Sequence, residues 1–221
     1  MQRFWLIRRQ PYRETSVLVT VLTEQDQLLR AVIRGGHGRS EFELCEGAFS
    51  GTGLTRIQQV APLAARLPLS GIQLISGLYA NEILYYLIPD GAVCPGLFDA
   101  YTGCITDCAR DLQAIALRTL ERHLLRDLGR YLYPSDVSHE TVQQDRYYRV
   151  TEDGRLVEVE ACEPDAALGE WWQMLMDGQW SEHTHAFAMR VHRSLLDRAL
   201  GGRRLVSREL LIEWKKTTYD S

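Results

Sequence analysis

Apolar positions in the first sixty residues recur at the two-residue period of a half-buried strand. Residues 15–23 (TSVLVTVLT) form a β-branched run, and residues 28–34 (LLRAVIR) set Leu29, Ala31 and Ile33 against Arg30, Val32 and Arg34. The polar EQDQ segment between them reads as a turn. Residues 4–9 precede this pair and 41–48 follow it, and Ser50-Gly51-Thr52-Gly53 then turns the chain into residues 54–60. Short strands joined by tight turns, with no helix among them, predict a small β-barrel.

Past Pro62 the period lengthens to that of a helix. Pro68-Leu69-Ser70 reads as a helix entry, with Ser70 as N-cap and Gln73 closing a capping box. This helix runs to about Ile88 and stops at Pro89; Pro95 opens a second, and a third covers residues 112–128, ended by Gly129. Residues 146–150 and 155–159 flank Asp153-Gly154, a hairpin signal. Helices resume over 165–176 and 185–200, closed by Gly201-Gly202, and Ser207 caps a short last helix. The predicted class is α+β: an OB-fold-like barrel over residues 1–66, then a mainly helical domain over 67–221 with a β-hairpin near 145–160.

Composition changes this picture little, but charge adds to it. With 45% hydrophobic and 24% charged residues, 221 residues suffice for a folded core. No apolar run approaches the length of a membrane span and no secretory leader is visible. The cysteines at 45, 94, 104, 108 and 162 form no CxxC, so a reducing cytoplasm is expected. The formal charge of −4 excludes a uniformly basic coat for nucleic acid. Its distribution is uneven: residues 1–39 hold seven arginines against three acids, 134–186 twelve acids against three arginines, and 187–221 eight lysines and arginines against four acids. Two basic ends around an acidic middle suggest separate binding faces.

No phosphate loop, GxGxxG, GxSxG or HExxH is present, so the sequence supports no enzyme class. Cys104 and Cys108, with Cys94 and His123, and the trio His183, His185 and His192 lack the tight pairs zinc prefers, so no metal is expected. Arg30 and Arg34 share one side of a strand, and His37 and Arg39 follow in a glycine-rich loop, a pattern suited to a single-stranded nucleic-acid groove. Arg8, Arg9 and Arg13 join them as candidate DNA contacts, with Phe4, Trp5 and Tyr12 as candidate stacking groups. Arg190, Arg193, Arg203 and Arg204 are the candidates at the C-terminal end.

The third helix carries a second pattern. With Leu117 at zero and about 100° per residue, Leu120, Leu124 and Leu128 fall at about 300°, 340° and 20°, a core stripe. Arg118, Arg122 and Arg126 fall at about 100°, 140° and 180°, which puts Arg118 beside Leu125 on the border between apolar and charged faces. Such a border suits an apolar side chain with a neighbouring carboxylate; a plain solvated face stays open beside that reading.

Four stretches resemble the RecO family of DNA repair and recombination mediators. They are Pro11-Tyr12-Arg13-Glu14-Thr15-Ser16; PLSGIQLISGLYANEIL at 68–84, with Gly77-Leu78-Tyr79 and Asn81-Glu82; ALRTLERHLLRDLG at 116–129; and LGGRRLVSREL at 200–210. They occur in family order and span nearly the whole chain. The resemblance implies an OB-fold and a helical domain in a cytoplasmic, nucleoid-associated bacterial protein. It implies binding of single- and double-stranded DNA, strand annealing, and partnership with RecR and single-strand-binding protein to load RecA. It further implies that Arg118 helps hold the acidic, phenylalanine-ended tail of single-strand-binding protein, with Leu120, Arg122 and Leu125 beside it. Removing Arg118 is then expected to weaken tail binding and leave the fold intact.

This chain also departs from the family pattern. Between Gly35 and Glu41 it is shorter than typical relatives and keeps only His37-Gly38-Arg39-Ser40 of a usually basic stretch. Val206 stands where a lysine usually precedes the Ser-Arg-Glu motif. Tyr131-Leu132-Tyr133-Pro134-Ser135 stands where some relatives carry a four-cysteine zinc site. Two readings follow: a mediator that binds DNA, or an adaptor that kept its partner sites and lost most DNA affinity.

Overall fold

The computed structural model describes residues 1–35, 38–51, 53–132, 141–151 and 154–219. Strands β1 (Gln2–Tyr12), β2 (Ser16–Thr23), β3 (Leu28–Arg34), β4 (Leu44–Ser50) and β5 (Thr55–Pro62) close into a barrel in the order β1-β2-β3-β5-β4. Neighbours are antiparallel except β3 and β5, which run parallel. Inward positions alternate as the sequence pattern requires, and Phe4, Leu6, Val19, Val21, Ala31, Ile33 and Ile57 fill the barrel. Gly47 sits at a bulge in β4, where a Cβ would lie 2.6 Å from Ile57 Cγ2, so only glycine lets β4 and β5 close there.

Helices α1 (Gly71–Leu87), α2 (Leu97–Cys108) and α3 (Gln113–Asp127) follow the barrel. Ser70 is the N-cap of α1, but its side chain makes no cap bond, and Gln73 Nε2 donates instead to Asp111 Oδ1 at 2.8 Å. The expected capping box is therefore absent. The buried Asn81 of α1 donates to the Ile7 carbonyl at 2.7 Å and accepts from the Tyr101 hydroxyl at 2.6 Å, tying barrel, α1 and α2 together.

After α3 come strands β6 (Tyr147–Val150), β7 (Leu156–Glu158) and β8 (Ala167–Leu168), then α4 (Gly169–Asp177), α5 (Glu182–Ala199) and α6 (Val206–Tyr219). The β6–β7 pair is the expected hairpin; Asp153 of its turn lies outside the described residues. Residues 167–168 are not helical as expected, because they pair with Tyr147 and Tyr148. The first residue of α4 must be glycine, because any Cβ at position 169 would collide with the Gln143 carbonyl.

Helix α6 is longer than expected, and Ser207 is not its cap. Glu82 of α1 takes that role: its carboxylate accepts from the backbone N–H groups of Val206 and Ser207, both at 2.9 Å, and from the Ser207 hydroxyl at 2.5 Å. Packing accordingly groups the chain into two compact units, Met1–Leu117 with Arg204–Ser221, and Arg118–Arg203. In the second unit Trp172, Leu175, Phe187, Leu195 and Leu196 form the core with Leu120 and Leu124. Trp172 meets Phe187 edge-on at 4.7 Å and donates from its indole to the Tyr148 carbonyl at 3.0 Å. No helix among the described residues is long and apolar enough to cross a membrane.

Candidate nucleic-acid interface

Residues opposite one another in a sheet project to the same side, so register decides which arginines share a face. Three rows cross β1, β2 and β3 on the outside of the barrel: Arg8–Thr20–Arg30, Gln10–Leu18–Val32 and Tyr12–Ser16–Arg34. On β5, Arg56 lies opposite Val32 and extends the face. Arg30, Arg34 and Arg56 are exposed.

Where the β1–β2 turn meets the start of β5, this face hollows into a groove of about 830 Å³ lined by Tyr12, Arg13, Arg34, Leu54 and Arg56 among others. No carboxylate lines it among the described residues. Arg13 holds a positive φ of 57° in the turn and places its guanidinium 5.2 Å from the Tyr12 ring. Leu54 is 48% exposed at the rim of this groove. Three cations for phosphates beside an aromatic ring and an exposed aliphatic chain for bases are the two ingredients of a single-strand groove. Its position, between strands 2 and 3 and the first and last barrel loops, is where OB-folds bind oligonucleotides.

Other expected contacts lie elsewhere. Arg9 pairs with Val19, a core residue, so it belongs to the opposite face of β1 from Arg8. Arg39 is not on the Arg30–Arg34 surface: it donates to the Val60 carbonyl at 3.0 Å and stands 3.6 Å from Glu43, fastening the loop to β5. Phe4 and Trp5 are no stacking platforms. Phe4 is in the barrel core, and buried Trp5 donates to Thr102 Oγ1 at 2.8 Å. His37 lies outside the described residues. Arg56 and Leu54 were missed in the sequence; the signal was the turn at 50–53, which puts both at the mouth of the barrel.

In the second unit, the exposed Arg190 and Arg193 of α5 edge a shallow depression with Ser194, Asp197 and Arg198. Asp197 stands 3.9 Å from Arg193, and Arg198 donates to the Thr151 carbonyl at 2.8 Å, so this patch is partly neutralised. Arg203 and Arg204 are exposed.

Comparison with known proteins agrees with the barrel and the helices that follow it. Residues 1–65 match the family model described as Recombination protein O N terminal, and residues 69–209 match Recombination protein O C terminal. The chain belongs to the RecO family. It is 34% identical to the DNA repair protein RecO of Pseudomonas paraeruginosa, over 99% of this chain and 97% of that one. It is 32% identical to the protein of the same name from Stutzerimonas stutzeri, over 99% and 96%. A third, from Pseudomonas entomophila, is 34% identical over 95% and 96%.

In this RecO family member the helix-border arginine is inside the protein. Arg118 is only 7% exposed, and its Nη2 donates to Glu121 Oε1 at 2.5 Å. The other Glu121 oxygen meets His192 Nδ1 at 3.1 Å, and His192 Nε2 lies 3.1 Å from the Tyr131 hydroxyl, which reaches the Leu175 carbonyl at 2.8 Å. Leu120 and Leu125 are fully enclosed, and Arg122 Nε donates to the Met176 carbonyl at 2.9 Å. The expectation that Arg118 lies off the core is thus corrected. Its guanidinium takes a carboxylate from the chain's own Glu121. On the helical wheel Glu121 falls at about 40°, between Leu128 of the stripe and Leu125 at about 80°, and that was the signal for its burial.

Burial holds His192 below its ordinary value, against the pull of Glu121. The neutral ring places its proton on Nδ1, because the ionised Glu121 only accepts. An unfolded chain then takes up the proton more readily than the folded one, so stability is full above about pH 6.5 and falls as pH drops toward the lowered folded value. The melting temperature should fall between pH 7.5 and 5.5, and His192→Asn should flatten that dependence. An unchanged slope in the variant would place the critical ionisation elsewhere.

Proposed function

We propose that this RecO family protein works by binding, holding single-stranded DNA in the groove of Tyr12, Arg13, Arg34, Leu54 and Arg56. The observation that carries this is the convergence of three arginines, with no carboxylate in the lining among the described residues, on the face and loops OB-folds use for oligonucleotides. The phosphates supply most of the affinity and the face orients the strand. The exposed Arg190 and Arg193 of α5 offer a second contact for another strand or a duplex. Annealing then requires only that two strands be held with their charge screened, and no catalytic residue.

Partnership with RecR, with the tail of single-strand-binding protein and, through them, with RecA rests on the family resemblance and belongs to the same proposal. The shortened stretch after Gly35 favoured an adaptor without DNA affinity. The free groove favours the mediator, since its cations come from other segments.

The test is fluorescence anisotropy with a labelled single strand at low and moderate salt. Binding in the micromolar range or tighter that weakens with salt supports the mediator. Binding of a tail peptide without DNA binding overturns it in favour of the adaptor.

A further inference from the structure

At the other end of the same outer face, two arginines converge on a ring from a different element. Arg8 of β1 sits 4.2 Å from the centroid of Tyr85 on α1, and Arg30 of β3 sits 5.7 Å from it. Both distances are within cation–π range. The two arginines occupy one cross-strand row with Thr20 between them, so without the ring their like charges would push them apart. Arg8 is also braced by Gln10: in the amide orientation that satisfies both groups, Gln10 Oε1 accepts from Arg8 Nε and Nη2 at 3.2 Å. Among the described residues neither guanidinium has a carboxylate partner.

Arg8, Gln10, Thr20, Arg30 and Tyr85 surround a recess of about 80 Å³. That is the space of two to three waters at about 30 Å³ each, enough for one phosphate group. Asp90 accepts from the Arg30 backbone N–H at 2.7 Å and leaves the guanidinium itself unpaired by a carboxylate among the described residues. Two such guanidinium groups at a fixed spacing, with a hydroxyl between them, make a site for a phosphate diester. Between this row and the groove lies the row of Gln10, Leu18 and Val32, whose half-buried aliphatic chains offer bases a floor.

We infer that the Arg8–Tyr85–Arg30 cluster is a second backbone-phosphate subsite for the strand held in the groove, with Tyr85 as the residue that positions both arginines. It rests on the groove reading above. Arg30 and Arg34 are four residues apart on β3, about 13–14 Å at 3.3–3.4 Å per residue. A short oligonucleotide therefore fills the groove alone, and a longer one reaches both sites.

This span gives the test its discriminating axis. Labelled oligo-dT from about 3 to about 20 nucleotides, spanning the site sizes of OB-folds, is titrated against wild type, Tyr85→Ala, Tyr85→Phe and Arg8→Ala. The longest oligonucleotides should bind Tyr85→Ala and Arg8→Ala about tenfold more weakly, the loss of one charge-assisted contact. The shortest should bind all four proteins alike, and Tyr85→Phe should match wild type throughout because it keeps the ring. Equal affinities for wild type and Tyr85→Ala at every length would overturn the subsite while leaving the groove standing. A loss in Tyr85→Ala of the same size at every length would mean a general disturbance and would also overturn it. No DNA binding by wild type would overturn both readings.

Discussion

Glu121→Ala is expected to destabilise the unit formed by residues 118–203 by about 3–5 kcal/mol, the range for removing one partner of a buried ion pair. Glu121 is 1% exposed and takes bonds from two buried groups. Its removal strands the Arg118 guanidinium, whose Nε already has no partner, and turns the His192 Nδ1–H toward nothing. Against a total stability of about 5–15 kcal/mol, such a loss removes about a third or more of what holds an average domain folded. Amide hydrogen exchange along α5 reads the effect in this unit directly, since His192 lies on that helix. Arg118→Ala should act in the same direction, through the abandoned carboxylate. Joint replacement, Glu121→Leu with Arg118→Met, should recover much of the loss, because an apolar pair needs no desolvated charge. A cost below about 1 kcal/mol for Glu121→Ala, the scale of an exposed ion pair, would show that the network is open to water.

The barrel was the part most legible in the sequence. Residues such as Val17, Val19, Val21 and Ile33 must point inward at a period of two, and a shift by one would expose all of them. The hairpin and the helices α1, α2 and α3 were equally visible through their punctuation and period. What the sequence hid were decisions made by distant residues. Ser70 and Gln73 match a capping box, but Asp111 competes for the Gln73 amide. Ser207 looks like a cap, yet Glu82, far away in the chain, supplies the acceptor. Residues 167–168 are drawn into a sheet by partners near 147.

The candidate site divides in the same way. Arg30 and Arg34 were placed on one face by alternation alone. Arg9 and Arg39 were grouped with them by charge, and only register and the Val60 carbonyl separate them. On α3 the wheel located the leucine stripe, but not that α5 would bring His192 to Glu121 and so draw Arg118 inside.

The second large effect concerns the groove itself. Each arginine that neutralises a phosphate releases condensed counterions, which contribute about 0.7 to the salt slope per contact on a single strand. Replacing Arg13, Arg34 and Arg56 together with alanine should therefore lower that slope by about 2 and weaken binding at low salt by at least about a hundredfold. The fold should survive, because Arg13, Arg34 and Arg56 are exposed and belong to no ion pair among the described residues. Arg9→Ala, in the opposite register, is the control and should keep the wild-type slope.

The most direct measurement is the dependence of single-strand affinity on salt concentration in wild type, the triple variant and Arg9→Ala. The groove account predicts a shallower line for the triple variant alone, with wild type and Arg9→Ala superimposed. A triple variant that keeps the wild-type affinity and slope would contradict it and move the DNA to another face.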